Sequence, residues 1–157
     1  AASDVYKRQT FALDFIHSDR SIFKIVDLDE AWAFLNVAQG ETLSNKLVRA
    51  GRAMNAGVYF VTQSSGDVSK ESLKNNIGLK FAFRSTDTNE IKQTLEFFGL
   101  DSEDENNQKR LRDLENGQCL MQDLYGRVGV VQIHPVFVEL LHAFDTRPPI
   151  KSEVDLE

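Results

Sequence analysis

Two adjacent carboxylates, Asp29 and Glu30, directly follow residues 21–28, an apolar, β-branched run that predicts a buried strand. A carboxylate pair at a strand end suits phosphoryl transfer. The first carboxylate holds Mg²⁺ through its water shell, and the second polarises the water that attacks the γ-phosphate. On this interpretation Asp29 is the metal partner and Glu30 the general base. The alternative is structural, because Asp29 can cap a helix that begins at Ala31.

Thr62 and Gln63 end the run GVYFV, which predicts the next strand. In an α/β sheet the carboxyl ends of parallel strands form one edge, so we expect these side chains near the acidic pair. Gln63 is a candidate to hydrogen-bond the attacking water or the γ-phosphate and to report whether the phosphate is present. Thr62 is a candidate nucleotide-binding residue. The alternative for Gln63 is a surface loop glutamine.

Three arginines are candidates to stabilise negative charge on a transferred phosphoryl group, since one subunit of a ring-shaped ATPase often supplies an arginine to its neighbour. Arg49 and Arg52 recur with Lys46 at three-residue spacing on a predicted helix, which gives a basic stripe. Arg84 ends a third predicted strand. The alternatives are a solvated helix face for Arg49 and Arg52, and an ion pair between Arg84 and Asp87.

Predicted helices and strands alternate along the chain, which indicates an α/β fold. We expect a mostly parallel sheet with helices on both faces, finished by a hairpin whose turn lies at Tyr125 and Gly126. Helix limits are marked by two capping boxes, two glycine stops and a first-turn proline: Asp87 with Glu90, Ser102 with Glu105, Gly99, Gly117 and Pro135.

Composition adds further expectations. The chain has 157 residues, a formal net charge of −6 and one cysteine, Cys119, so no internal disulfide can form. The negative charge argues against a whole-domain grip on nucleic acid, because phosphate contacts rely on clustered Lys and Arg. Trp32, the phenylalanines and Cys119 are expected in the core. No apolar run approaches the roughly 20 residues that cross a bilayer, so we expect no direct membrane insertion.

The segments KIVDLDEAW, LVRAGRAMNAGVYFVTQSSGDV and KFAFRSTD, followed by LENGQCLMQDLYGRVGVVQI and HPVFVELLHAF, together resemble one family. They are similar to the C-terminal half of the ATPase domain of conjugative-transfer and type IV secretion ATPases, the TraC and TrbE type. This family belongs to the RecA-like P-loop NTPases, near the HerA and FtsK DNA translocases. The resemblance runs from about residue 21 to residue 144.

The resemblance implies a RecA-like fold and a Mg²⁺-dependent ATP site. It implies a role for each matching residue: Asp29 and Glu30 as the Walker B pair, Gln63 as the polar residue of the third motif, Arg49 and Arg52 as the basic helix, and Arg84 as a trans-acting arginine. It also implies a hexamer at the cytoplasmic face of the membrane. Its partners would be other secretion or conjugation components and DNA.

The sequence G-x-x-x-x-G-K-[ST], which cradles the β-phosphate, is absent from the chain. We therefore expect residues 10–146 to be the C-terminal part of a RecA-like ATPase domain that lacks its P-loop strand. Residues 1–9 are expected to be non-native or disordered, and residues 147–157 a polar tail. Alone, such a fragment is expected to bind ATP poorly and not to hydrolyse it.

Two other functions fit the same residues. One is a HerA or FtsK type DNA translocase, although the net charge argues slightly against DNA gripping by this half. The other is a non-catalytic assembly module of the secretion machinery. The missing P-loop suits the module, whereas Asp29, Glu30 and Gln63 together favour the ATPase.

Overall fold

The computed structural model describes residues 11–12, 14–35, 38–68 and 71–143. The predicted terminal segments 1–9 and 147–157 therefore lie outside the described residues, and the domain boundaries stay predictions. Within the described part of the chain, no helix is long and apolar enough to cross a membrane.

A parallel pair of strands forms the first sheet. Strand β1, Lys24–Leu28, pairs with β2, Ala56–Phe60, so that Leu28 lies opposite Phe60 at their carboxyl ends. Helices α1, Ala31–Leu35, and α2, Ala38–Ala53, connect the two strands. This is the helix-bearing crossover that parallel strands require.

The second sheet is antiparallel and has the order β3, β4, β5. Its strands are Lys80–Ala82, Gln118–Gln122 and Val128–Gln132. The predicted hairpin is confirmed, and its loop covers residues 123–127, where Gly126 has a φ of 78°. We expected β3 in the parallel sheet, but it pairs antiparallel with β4. A short apolar run leaves its partner undetermined, because pairing direction depends on how distant segments meet.

The remaining helical elements follow β2, β3 and β5 along the chain. They are a 3₁₀ turn, Ser65–Val68, and helices α3, Glu71–Lys74, α4, Thr88–Phe98, α5, Glu105–Arg112, and α6, Val138–Ala143. Pro135 lies before α6 and not in its first turn, which corrects the expectation. Residues 11–12 and 14–17 are also helical.

The helix boundaries around α4 are confirmed, and those around α5 differ from the prediction. Asp87 caps α4 by accepting from the Glu90 backbone N–H, and Gly99 ends it in the left-handed conformation at φ 75°. Asp104, and not Ser102, caps α5, and the helix ends at Arg112 before Gly117 is reached. Asp104 is the N-cap residue because its carboxylate accepts a hydrogen bond from the Asn106 backbone N–H, the usual N-cap contact.

One core joins α1, the 3₁₀ turn, α4, α5 and β4. Its buried members are Ala31, Leu35, Val68, Leu73, Ile91, Leu95, Phe97, Phe98, Leu111, Leu114 and Leu120. A smaller cluster joins Ile16 to Val26 of β1 and Leu47 of α2. The segments that follow β1 and β2 are thus held by the same core as α4.

The expectation for Cys119 is confirmed, and that for the aromatic residues is only partly correct. Cys119 is fully buried, and burial raises the pKa of its thiol. Phe97 and Phe98 are buried, but Trp32 is 45% exposed. Other large apolar side chains are also exposed, among them Phe23, Ile25, Tyr59, Val61, Phe81 and Phe83. The first four lie on or beside β1 and β2 and are called here the apolar sheet face.

Gly51 sets how closely α2 approaches β2. A Cβ atom at this position would lie 2.8 Å from the carbonyl oxygen of Ala56, which is backbone. We expect Gly51→Ala to lower thermal stability, because backbone at 2.8 Å cannot move aside as a side chain can, and overpacking costs up to about 3 kcal/mol against a gain in helix propensity of about 1 kcal/mol. Thermal unfolding of this chain, followed by circular dichroism, measures the change.

Gly129 on β5 provides the matched control. A Cβ atom there would meet nothing within 4 Å. Gly129→Ala should therefore leave the melting temperature unchanged or raise it slightly. A Gly51→Ala variant that melts above the parent chain would contradict the close approach of α2 and β2.

Candidate active site

The carboxyl ends of β1 and β2 are joined by backbone hydrogen bonds beyond the strands themselves. The Val61 N–H donates to the Leu28 carbonyl at 3.0 Å, and the Ala31 N–H donates to the Val61 carbonyl at 2.8 Å. Ala31 is fully buried. The peptide that carries Glu30 is therefore anchored on its carboxyl side, while its side chain faces solvent.

Glu30 and Gln63 are brought together at this edge. Gln63 Nε2 donates to Glu30 Oε1 at 2.9 Å. The other carboxylate oxygen, Oε2, accepts a hydrogen bond from Trp32 Nε1. The Glu30 carboxylate is consequently fixed between an amide on one strand end and an indole on the next turn.

Glu30 also has an uncommon backbone conformation. Its φ is 53°, in the left-handed region that residues other than Gly, Asn and Asp rarely adopt. The Asp29 side chain supports this turn, because its Oδ1 accepts from the Glu30 N–H at 3.0 Å. Such conformations cost about 1–3 kcal/mol and cluster at functional sites. The turn lies at the carboxyl end of β1, where both Asp29 and Glu30 are exposed.

The oxygen ligands at this edge fit Mg²⁺. Asp29 is exposed at the end of β1. Protein sites commonly hold Mg²⁺ with one or two carboxylates, several waters and the substrate phosphates, and not with a full protein cage. Among the described residues no cluster of three or more His, Cys, Asp or Glu could hold a metal alone. An Mg²⁺ ion that is bound mainly by the nucleotide phosphates needs only one or two protein carboxylates. Asp29, which precedes Glu30 in the sequence, can supply one.

The loop after β2 is held by its own side chains. Thr62 Oγ1 donates to Asp67 Oδ2 at 2.7 Å and accepts from the Ser64 N–H at 3.5 Å. Ser64 Oγ in turn accepts from the Gly66 N–H at 3.2 Å. The Thr62 hydroxyl proton is therefore used within the loop, and the proposed nucleotide-binding role of Thr62 stays a prediction.

The arginine candidates are not brought into hydrogen-bonding contact with Glu30 or Gln63 within the described residues. Arg84 is exposed just beyond β3, and Asp87 caps α4 instead of pairing with it. Arg49 is exposed on α2. The side chain of Arg52 lies outside the described residues. Their trans-acting roles stay predictions.

Sequence reasoning missed three residues at this edge: Trp32, Asp67 and Glu90. Trp32 was expected in the core, but its indole binds Glu30. Asp67 ends the motif TQSSGD, and its spacing from Thr62 was the available signal. Glu90 was read as half of a capping box, yet its carboxylate contacts Ser64 and Ser65. No pattern in the sequence indicates that contact.

Comparisons with known proteins find a family model and a curated relative that match much of the chain. A family model described as an AAA-like domain matches residues 5–144. The uncharacterized protein YddE of Bacillus subtilis (strain 168) is 34% identical over 119 residues, which is 76% of this chain and 14% of that protein. The chain therefore spans about one seventh of this curated relative.

A solved structure shows the same fold. It is the genome packaging NTPase B204 from Sulfolobus turreted icosahedral virus 2 in complex with ATP-gammaS. The TM-score is 0.55 at 15% identity, over 71% of this chain and 52% of that chain. At this identity the likeness concerns the fold alone. It confirms the predicted fold class, an α/β fold of the P-loop NTPase kind.

Proposed function

Because the chain belongs to the AAA-like domain family, we propose that it supplies the Walker B half of a Mg·ATP-hydrolysing site in a longer polypeptide. The observation that carries the proposal is the contact between Gln63 Nε2 and Glu30 Oε1 at 2.9 Å, at the carboxyl ends of two parallel strands. Ligands of α/β sheets bind at this edge.

Each side chain at the edge has a defined task. Glu30 takes the proton from the attacking water, and Gln63 orients that water and reports the γ-phosphate. Trp32 Nε1 and Gln63 Nε2 hold the carboxylate so that it cannot rotate away. Asp29 would hold the Mg²⁺ of Mg·ATP, and the ion would supply positive charge that offsets the charge of the phosphates.

The three candidate arginines supply the remaining positive charge in this proposal. Arg49, Arg52 and Arg84 are candidates to reach the nucleotide of a neighbouring subunit in a hexamer. The exposure of Arg49 and Arg84, without ion-pair partners in the described residues, supports their availability for such a contact. The basic helix α2 would then lie toward a subunit boundary.

The apolar sheet face supports the placement in a longer polypeptide. Phe23, Ile25, Tyr59 and Val61 are between 49% and 62% exposed and sit on or beside the strands that carry the site. Contiguous exposed apolar surface commonly marks an interaction surface. A P-loop strand and its helix, supplied upstream, would cover it and would complete the phosphate cradle.

The cellular role we propose is that of a conjugative-transfer or type IV secretion ATPase. The motif order from KIVDLDEAW to HPVFVELLHAF supports it. The complete protein would act as a hexamer, peripheral to the cytoplasmic face of the membrane. It would use Mg·ATP to move substrate with other secretion components, with DNA as a further partner.

The proposal is tested on the polypeptide encoded by the whole reading frame that contains this chain. We expect Mg²⁺-dependent phosphate release that stops when EDTA removes the ion and returns when Mg²⁺ is restored. Deletion of the gene should abolish conjugative transfer from the host, and a plasmid copy should restore it.

The other outcomes separate the competing functions. A reading frame without a P-loop, and a protein without hydrolysis alone or with secretion components, would support the non-catalytic module. Hydrolysis that rises with long double-stranded DNA, together with unimpaired transfer in the deletion strain, would support a DNA translocase instead. Either result would overturn the secretion ATPase.

A further inference from the structure

The carboxylate of Glu90 binds the loop that carries Gln63. Oε2 accepts from Ser64 Oγ at 2.8 Å, and Oε1 accepts from the Ser65 N–H at 2.7 Å and from Ser65 Oγ at 2.9 Å. Thr94, one turn further along α4 and 5% exposed, donates to Ser65 Oγ at 3.1 Å. Glu90 itself is half-buried.

These contacts replace the second hydrogen bond of the capping box that the sequence predicts at Asp87 and Glu90. In a complete capping box the glutamate side chain accepts from the backbone N–H of the cap residue. Here Asp87 does accept from the Glu90 N–H at 2.8 Å, so half of the box is present. The Glu90 carboxylate instead contacts Ser64 and Ser65. A carboxylate bound to two serines and a backbone N–H forms charge-assisted hydrogen bonds, which are the stronger kind.

The loop is thereby clamped on both sides of Gln63. On one side Asp67 accepts from the Thr62 hydroxyl at 2.7 Å, and on the other Glu90 accepts from Ser64 and Ser65. Gln63 lies between the clamped residues, and its amide reaches Glu30. The position of the Gln63 side chain therefore depends on a carboxylate that belongs to α4.

We propose that Glu90 is a positioning residue that holds the Gln63 amide against Glu30. It touches neither the attacking water nor the phosphate, and it acts only through the backbone and side chains of Ser64 and Ser65. Its effect on hydrolysis rests on the proposed ATPase function. Its effect on the contact between Gln63 and Glu30 does not rest on that function and can be measured on this chain without nucleotide.

Trp32 provides the readout, because it is the only tryptophan of the chain and gives a single indole N–H signal in a proton–nitrogen NMR spectrum. Its indole donates to the same carboxylate that Gln63 holds. Gln63→Ala frees one carboxylate oxygen and should shift the Trp32 signal. We expect Glu90→Ala to shift that signal in the same direction, although the hydrogen bonds of the Glu90 carboxylate within the described residues go to Ser64, Ser65 and Thr94 and not to Trp32.

Two matched variants separate positioning from loss of helix stability. Asp87→Ala removes the cap of the same helix and leaves the serine contacts in place, so the Trp32 signal should not move. Glu90→Gln keeps an oxygen that accepts from Ser65 and adds an NH₂ group that can donate to Ser64 Oγ. The Trp32 signal of this variant should therefore resemble that of the parent chain. A Trp32 signal that stays in place in Glu90→Ala, or moves as far in Asp87→Ala, would overturn the inference.

A double variant covers the case in which Glu90→Ala fails to fold. Ser64→Ala with Ser65→Ala removes the hydroxyl donors from the loop side and leaves α4 intact. It should reproduce the shift of Gln63→Ala. An unshifted signal in this folded variant would also count against the proposal.

Kinetics on the complete polypeptide test the consequence for catalysis. Glu90→Ala should lower kcat by up to about 100-fold with little change in KM, since a displaced group costs rate more than binding. Glu90→Gln should restore most of kcat. If the parent polypeptide does not hydrolyse ATP, the proposed function fails, and the Trp32 signal still decides whether Glu90 positions Gln63.

Discussion

Glu30→Gln is expected to leave ATP binding intact and to lower hydrolysis by about 10²–10⁴-fold in the complete polypeptide. The amide has the size of the carboxylate but cannot accept the proton of the attacking water. Asp29 and Gln63 are unchanged, so the contacts proposed for Mg·ATP remain. Phosphate release measures hydrolysis, and isothermal titration measures binding.

The structure adds a complication that a control must resolve. Both oxygens of Glu30 accept hydrogen bonds, one from Gln63 and one from Trp32. An amide offers a single acceptor oxygen, so Glu30→Gln sets its NH₂ against one of these donors. The variant would then perturb the site as well as remove the base.

Trp32→Phe removes one of the donors and keeps an aromatic ring. In the double variant, Glu30→Gln with Trp32→Phe, the amide oxygen can accept from Gln63 without a clash of donors. We expect Trp32→Phe alone to retain part of the activity, because Gln63 still holds the carboxylate, and the double variant to stay inactive. Recovery in the double variant, or near-normal hydrolysis in Glu30→Gln, would show that Glu30 is not the base.

The contact between Glu30 and Gln63 was predictable because it follows from a general property of parallel sheets. Apolar runs predict β1 and β2, and their polar residues fall where the strands end. The helix that separates the runs makes a parallel crossover the natural connection. The sequence therefore places these two side chains at one edge, and the structure adds the hydrogen bond.

The partners of β3 and of Glu90 were not predictable by the same reasoning. Both depend on contacts between residues distant in the sequence. The run at Phe81 reads as a strand in either sheet, and only the folded chain shows that it pairs with β4. The Glu90 pattern satisfies the local capping rule, but the serines after β2 compete for its carboxylate.

The exposure of Phe23 and Trp32 was also not predictable from the sequence. Phe23 and Trp32 have large apolar side chains, which the hydrophobic effect alone would bury. Whether such a side chain is covered depends on which segments pack over it. For Trp32 the hydrogen bond to Glu30 adds a polar reason for its place at the surface.

Leu95→Ala is expected to lower the free energy of unfolding of this chain by about 2–5 kcal/mol, the cost of a buried leucine and the cavity it leaves. Leu95 is fully buried on α4 and belongs to the core that also contains Ala31 and Val68. The same helix carries Glu90, so this core supports the segments that hold the site. Urea unfolding followed by circular dichroism gives the change.

Lys92→Ala is the control on the same helix. Lys92 pairs with Glu103 at 2.7 Å, but the two side chains are 35% and 73% exposed, and such surface pairs contribute about 0–1 kcal/mol. Lys92→Ala should therefore change the free energy of unfolding by no more than this.

Trp32 fluorescence in the same urea series reports the unfolding of the strand ends. If the core holds those segments as proposed, Leu95→Ala should shift the fluorescence and circular dichroism midpoints together. A fluorescence midpoint that stays in place would show that the edge bearing Glu30 unfolds independently of α4.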